Sequence, residues 1–418
     1  MAKKLLKGCE AIGEAAVQAG CRLFFGYPIT PQNEIPEYLS ARLPQVGGTY
    51  LQAESEVAAS NMLYGAAGAG CRCFTSSSGP GISLMMEGLS YIAGAELPVV
   101  VVNIMRGGPG LGGILPSQSD YLQAVKGGGH GGYRCLVLAP STVQEAADLV
   151  QEAFDLADKY RNPVMVLGDG IMGQMMEPVE FKRSVQPEDL PPKPWATTGA
   201  KGRKPNLINS LHLAPEDLEA HDWKLQAKYE RMAKEDCRYE EFGLDGELDV
   251  LFVAYGTVAR ICKTAIETLR AKGVKAGLFR PITLFPYPGP ALARAAERTR
   301  HVLVSELSCG QMVEDARYSV AGKRPVAFFG RTGGMIMTPE ELVDEGLKLA
   351  AAQSSGPDGQ FFQTVRLNRK ARSRTISIPG PRLDPEILAL FAAFASLAVK
   401  CLGLSMANGG WRAKRATD

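Results

Sequence analysis

Two corners of the chain carry residue types and spacings that suit chemistry. The first is Tyr27-Pro28-Ile29-Thr30-Pro31, a stiff loop that offers one hydroxyl. The second is Glu54-Ser55-Glu56-Val57-Ala58-Ala59, which offers a carboxylate where a helix begins. Each follows an apolar, strand-like run. In an open parallel sheet both would surface at the carboxyl edge, where ligands bind. An acid in the first turn of a helix is stabilised by the macrodipole by about 0.3–1 kcal/mol, and that alone accounts for many such glutamates. The setting of Glu56 adds to this. The helix after it carries Ala58, Ala59, Gly65, Ala66 and Ala67, small residues that permit close approach of another backbone or another chain. Glu54, two residues earlier, is expected to face elsewhere.

Other residues are candidates on the same grounds. Arg106 ends an apolar run and opens the loop Arg106-Gly107-Gly108-Pro109-Gly110-Leu111-Gly112-Gly113. A cation there suits a carboxylate or phosphate, or simply an ion pair at a strand end. Lys126-Gly127-Gly128-Gly129-His130-Gly131-Gly132 is a second glycine-dense loop. Backbone amides in such loops can cradle an anion. Neither loop fits G-x-x-x-x-G-K-[ST] or G-x-G-x-x-G between a strand and a helix, so both read better as close-approach loops. His130, flanked by glycines, is a further candidate. The chain has four histidines, none paired at ligand spacing, which argues against a transition-metal site. Gly168-Asp169-Gly170 has the opening of a thiamine diphosphate motif, but the next asparagine, Asn206, falls in a proline-rich stretch. It reads as a strand end with a turn.

The elements that must position these residues follow from periodicity. Residues 8–20, 31–41, 55–70 and 142–160 read as helices, and another helix follows Ser76-Ser77-Ser78-Gly79-Pro80-Gly81. Residues 21–26, 49–53, 72–76, 98–105, 134–139 and 164–168 read as strands. Val99, Val100, Val101 and Val102 form the continuous apolar run of a strand buried on both faces. Such alternation predicts an α/β fold, a doubly wound parallel sheet, over residues 1–181. Residues 182–245 read as a proline-rich linker with a charged helix at 221–236. Residues 246–352 resume the alternation as a second, smaller α/β domain. Residues 353–418 form a basic tail of no assigned role, with ten Lys or Arg against three Asp or Glu from Arg366 onward.

Composition narrows the function classes. The formal net charge is +2, so no global field favours nucleic acid. No apolar run is long enough to span a bilayer. Nine cysteines are scattered without a C-x-x-C or an iron–sulfur ligand run, as expected of reduced thiols in a cytoplasmic protein.

Five motifs in order then resemble the alpha subunit of the 2-oxoacid:ferredoxin oxidoreductases, the branched-chain (2-oxoisovalerate) branch above all. They are Gly26-Tyr27-Pro28-Ile29-Thr30-Pro31, Gln52-Ala53-Glu54-Ser55-Glu56, Thr75-Ser76-Ser77-Ser78-Gly79-Pro80-Gly81, Met105-Arg106-Gly107-Gly108-Pro109-Gly110 and Lys126-Gly127-Gly128-Gly129-His130-Gly131. Ala254-Tyr255-Gly256-Thr257 and Arg280-Pro281 resemble the transketolase C-terminal-type domain of these subunits.

The resemblance implies a pyrimidine-type thiamine diphosphate-binding domain, with Glu56 hydrogen-bonding the aminopyrimidine as the catalytic acid. It implies Thr30 and Arg106 at the substrate, and Pro28, Ile29, Ser77, Ser78 and Gly79 around the cofactor, with His130 nearby. It implies that thiamine diphosphate is shared with a beta subunit. Mg²⁺ and [4Fe–4S] clusters would sit on partner subunits, among them gamma and ferredoxin-like chains, and no metal on this one. The implied reaction is oxidative decarboxylation of a 2-oxoacid with coenzyme A to acyl-CoA, CO2 and reduced ferredoxin. The same chemistry on pyruvate, 2-oxoglutarate or an aryl 2-oxoacid, a non-oxidative split-subunit decarboxylase, and a non-catalytic scaffold subunit are the alternatives.

Overall fold

The computed structural model describes residues 3–352, 404–407 and 410–413. The chain divides into two units, Met1–Val365 and Arg366–Asp418. In chain order the first unit runs β1 (Lys4–Lys7), α1 (Gly8–Gln18), β2 (Leu23–Gly26), α2 (Glu34–Gln45), β3 (Thr49–Gln52), α3 (Glu56–Gly68), β4 (Cys73–Ser77), α4 (Gly79–Gly94) and β5 (Val100–Met105). There follow α5 (Tyr121–Val125), β6 (Leu136–Leu138), α6 (Val143–Tyr160), β7 (Val164–Asp169), α7 (Gly170–Gln174), β8 (Met176–Val179), α8 (Pro215–Glu235) and β9 (Tyr239–Phe242). It closes with β10 (Leu248–Val253), α9 (Gly256–Ala271), β11 (Ala276–Pro281), β12 (Thr283–Phe285), α10 (Gly289–Glu297), β13 (Thr299–Glu306), α11 (Met312–Val320), β14 (Val326–Gly330) and α12 (Pro339–Ala351). In the second unit β15 (Leu404–Ala407) pairs antiparallel with β16 (Gly410–Ala413). The rest of the tail lies outside the described residues.

A seven-stranded sheet has the order β12-β6-β7-β5-β4-β2-β3, parallel except for β12. Its central β5 is buried along its whole length, as its valine run requires. Successive residues alternate between the two faces. Val100, Val102 and Ile104 pack with α1, α2 and α6, while Val101 and Met105 pack with α3 and α4. Asn103 lies between Val101 and Met105 in this alternation and therefore faces α4. A five-stranded sheet has the order β14-β13-β10-β11-β9, parallel except for β9. Helices α9 and α12 cover one of its faces.

Two boundaries differ from the sequence reading. Residues Tyr239–Phe242, expected in the linker, form the edge strand β9 of the second sheet. Thr283–Phe285, expected in the second domain, form β12 at the edge of the first sheet. Both strands are short and leave no clear periodic signal. The two sheets also share one apolar cluster, in which Val101, Met105 and Tyr121 pack with Leu251, Tyr255 and Val302.

A buried ion pair joins the two sheets. Arg280 of β11 is 4% exposed. Its Nη1 and Nη2 donate to the Glu145 carboxylate of α6 at 2.8 and 2.7 Å, and its Nε donates to Glu240 at 2.7 Å. Burial pushes the Glu145 pKa up, but the Arg280 hydrogen bonds and charge outweigh it and hold the carboxyl below its ordinary value. A carboxyl held down in this way stabilises the fold above its unfolded pKa and loses that contribution as pH falls through the folded one. Glu145→Ala is expected to cost about 3 kcal/mol by leaving buried charge short of its partner. The thermal midpoint of the variant should fall accordingly at pH 7. The gap to wild type should narrow as pH drops below the ordinary carboxyl value of 4.5. A gap independent of pH would remove the ion pair as its cause.

Candidate functional site

The chain order reverses between neighbouring strands β2 and β4. From β2 the chain passes to β3 at one edge, and from β4 it passes to β5 on the other side. At such a switch point the crevice beyond the carboxyl ends is a ligand site. The loop Tyr27–Pro31 follows β2, Ala53–Ser55 follows β3, Ser78 follows β4 and Arg106 follows β5. Four of the five motifs therefore meet at one edge.

Glu56 is the first residue of α3. Ser55 caps that helix, its hydroxyl accepting from Ala58 N at 3.2 Å. Glu56 is 5% exposed, whereas Glu54 is exposed. Among the described residues no donor hydrogen-bonds the Glu56 carboxylate. What makes room for it is Gly81 in the first turn of α4. A Cβ there would fall onto Ser77 Oγ and lie 2.5 Å from Glu56 Oε1. Ser77 and Ser78 are fully buried and their hydroxyls have no partner among the described residues. A buried acid and two buried hydroxyls lie together in a cradle, each able to hydrogen-bond a polar ligand.

Arg106 reaches across to the first loop. Its Nη1 donates to the Thr30 carbonyl at 2.9 Å and its Nη2 to the Leu111 carbonyl at 3.5 Å, while Nε has no partner. The Thr30 hydroxyl accepts from Asn33 Nδ2 at 3.4 Å. Pro28 is exposed and Ile29 half-buried. Gln32, fully buried, steadies the loop: its side-chain oxygen accepts from Ser76 Oγ at 2.5 Å, and its Nε2 donates to the Tyr27 carbonyl at 3.4 Å. Thr30, Arg106, Ser77, Ser78, Gly79 and Glu56 are thus brought to one edge.

His130 is placed elsewhere. Its ring meets Tyr91 edge-on at 5.7 Å, and its carbonyl accepts from Ser90 Oγ at 2.8 Å. Tyr91 lies about 18 Å along α4 from Gly79 at 1.5 Å per residue. The glycines beside His130 serve close packing, since a Cβ on Gly128 would come within 2.6 Å of Met86 Sδ.

Asp169 is a helix cap. Its Oδ1 accepts from Ile171 N at 3.0 Å, Met172 N at 3.1 Å and Thr257 Oγ1 at 3.0 Å. Burial pushes its pKa up, against those donors. Asn206 donates instead to the Pro194 and Ala196 carbonyls. Among the described residues no group of three His, Cys, Asp or Glu could hold a metal ion, and no helix is long and apolar enough to cross a membrane.

Sequence reading passed over Gln32, Asn103 and Asp120. Asn103 donates from Nδ2 to Asp120 Oδ2 at 3.1 Å, and its Oδ1 is buried without a partner. Its signal was an amide within the run Val100-Val101-Val102-Asn103-Ile104-Met105. Asp120 lies in an unpatterned stretch between the glycine loops and gave none.

Fold and cradle together describe an α/β protein whose buried polar groups gather at the switch point of a parallel sheet. The family model for the thiamine diphosphate-binding domain of pyruvate flavodoxin/ferredoxin oxidoreductases matches residues 14–241. That for the pyruvate:ferredoxin oxidoreductase core domain II matches residues 248–342. The chain is 48% identical over 354 residues to ketoisovalerate oxidoreductase subunit VorB of Methanothermobacter thermautotrophicus, covering 85% of this chain and 100% of that one. It is 38% identical over 350 residues to 2-oxoglutarate synthase subunit KorA of Archaeoglobus fulgidus, covering 82% and 98%. The solved 2-oxoglutarate:ferredoxin oxidoreductase from Magnetococcus marinus aligns with a TM-score of 0.74 at 26% identity, covering 83% of this chain and 65% of that one. The chain belongs to the 2-oxoacid:ferredoxin oxidoreductase family. It is a subunit of such an oxidoreductase and carries the thiamine diphosphate-binding domain.

Gly81→Ala tests the cradle. The added methyl must displace Ser77 or Glu56. Activity of the assembled enzyme is expected to fall about a hundredfold, the cost of misplacing a catalytic group by roughly 1 Å. Far-ultraviolet circular dichroism should be unchanged. Near-normal activity would show that the position of Glu56 is immaterial.

Proposed function

We propose that this chain supplies the pyrimidine half of the cofactor site of a branched-chain 2-oxoacid:ferredoxin oxidoreductase, acting on 2-oxoisovalerate and its near relatives. The observation that carries the reading is Glu56, a buried acid with no hydrogen-bond partner among the described residues, set against Gly81 at the sheet's switch point. Its carboxyl is suited to hydrogen-bond the ring nitrogen of the pyrimidine and to exchange a proton with it. Bound thiamine diphosphate supplies the nucleophilic carbon and the electron sink for decarboxylation. Ser77 and Ser78 offer hydroxyls to the same ring, and Pro28, Ile29 and Gly79 bound its edges. Arg106 holds the substrate carboxylate and also ties down the Thr30 loop, leaving the Thr30 hydroxyl at the reacting carbon.

The preference for branched-chain acids rests on two supports. Identity to the ketoisovalerate subunit, 48%, exceeds the 38% to the 2-oxoglutarate subunit. The loop from Gly107 to Pro116 offers Leu111, Ile114 and Leu115 and contains no Lys or Arg. The second carboxylate of 2-oxoglutarate would find no cation there. The site faces outward at the sheet edge, so a beta subunit completes it and contributes the diphosphate and Mg²⁺ half. A ferredoxin-like subunit carries [4Fe–4S] clusters and passes electrons to ferredoxin, a gamma subunit joins the complex, and coenzyme A takes the acyl group. Residues 1–181 form the pyrimidine-type domain, joined at its sheet edge by Thr283–Phe285; the linker from 182 ends at β9, which joins the sheet of the transketolase C-terminal-like domain, 246–352; 353–418 is a basic tail to which no role is assigned. His130 stands outside the pyrimidine cradle of this chain.

Glu56→Ala in the purified native complex is expected to abolish turnover while the subunits stay assembled. Assay of the wild-type complex against a panel of 2-oxoacids should give kcat/KM at least about a hundredfold higher for 2-oxoisovalerate than for 2-oxoglutarate, roughly the 3 kcal/mol cost of one unpaired buried charge. Turnover should require coenzyme A and ferredoxin. A Glu56→Ala enzyme that turns over normally, or turnover without an electron acceptor, would overturn the reading.

A further inference from the structure

The first turn of α4 forms one wall of the cradle, and its own cap does not hold it. Ser78 stands at the N-cap position but makes no capping hydrogen bond. The group facing that turn is Asp120, whose carboxylate oxygens would lie 3.5 and 3.7 Å from a Cβ on Gly79. Asn103 of β5 donates to the same carboxylate at 3.1 Å. Burial pushes the Asp120 pKa up, while Asn103, the Gly79 N–H and the Arg106 charge oppose it. An acid at a helix N-terminus substitutes for a missing cap and is favoured by the macrodipole.

Asp120 is in turn held by the second sheet's elements. Two residues before it, Gln118 is fully buried and makes four hydrogen bonds, all to residues beyond 250. Its N–H donates to the Leu307 carbonyl at 2.8 Å and its Oε1 accepts from Leu307 N at 2.9 Å. Its Nε2 donates to the Tyr255 carbonyl at 3.1 Å, and its own carbonyl accepts from Tyr255 Oη at 3.3 Å. On the other side of Asp120, Tyr121 donates to Asp315 at 2.6 Å and Leu122 N donates to Gln311 Oε1 at 2.8 Å. Gln311 Nε2 also donates to the Ser119 carbonyl at 2.6 Å. Most hydrogen bonds that tie residues 117–122 to the rest of the chain thus come from residues beyond 250, while the Asp120 carboxylate turns to Asn103 and α4.

We propose that Gln118 and Asp120 are positioning residues through which the second α/β half holds the first turn of α4, and with it Ser78 and Gly81, against the cofactor's pyrimidine. The inference rests on the reading of Glu56 given above. It assigns the second half of the chain a part in cofactor binding although none of its residues enters the cradle.

The test uses the native complex stripped of thiamine diphosphate, with two readouts. One is amide hydrogen exchange over residues 78–84; the other is a calorimetric titration with thiamine diphosphate. Asp120→Ala is expected to speed exchange in the first turn of α4 about five- to tenfold, the size of a lost cap, and to weaken cofactor binding by a similar factor. Asp120→Asn keeps an acceptor for the Gly79 N–H and should restore most of both. Gln118→Ala touches nothing in α4, yet should loosen the same turn. The proposal is overturned if Asp120→Ala leaves exchange and affinity unchanged, or if Gln118→Ala loosens only residues 255–257 and 306–308. Failure of the Glu56 reading is distinguishable. In that case Asp120→Ala would still loosen α4, but thiamine diphosphate affinity would not respond to Glu56→Ala.

Discussion

The site depends on the missing side chain at Gly81. Helices α3 and α4 approach closely enough there that one carbon would collide with Ser77 and crowd Glu56. Because that carbon is absent, an acid is buried at the head of α3 with one carboxylate oxygen set against Gly81. Burying an unpaired carboxylate is expensive. The arrangement is sustained by the positive ends of two helices and by a sheet whose central strand is buried throughout. Fold stability, drawn from the apolar runs of β5 and β7, supports a local feature that does not stabilise itself.

The two halves of the first unit are welded rather than hinged. They share an apolar cluster, exchange the edge strands β9 and β12 across their sequence boundary, and are bridged by the Arg280–Glu145 pair. Asp169 illustrates the same point. It resembles part of a cofactor motif, yet its oxygen caps α7 and accepts from Thr257 at 3.0 Å. The second sheet's own crevice is closed at the same place, since a Cβ on Gly256 would sit 3.1 Å from Gln118 Nε2.

Much of this was legible in the sequence, for physical reasons. A run of valines cannot sit comfortably except in a doubly covered strand, so β5 and the parallel sheet around it followed directly. The placement of Glu56 in the first turn of a helix, with Glu54 outside it, followed from the apolar pattern, and the structure buries the first and exposes the second. The edge strands β9 and β12 were not legible, because strands of four and three residues carry too little periodicity. Gln118 and Asp120 were not legible either. Their partners, Leu307, Tyr255 and Gly79, are set by the tertiary fold and leave no local spacing to read. Asn103 was visible as the polar residue in an apolar strand, but its meaning needed the face on which it lies.

The central claim is that Glu56 is the protein acid on the cofactor's pyrimidine ring. The most direct test is an electron cryomicroscopy map of the native complex with thiamine diphosphate bound. A Glu56 carboxylate oxygen should lie about 2.6–3.2 Å from a pyrimidine nitrogen, the span of a working proton-transfer contact. A pyrimidine seated elsewhere, with Glu56 touching only protein, would contradict it.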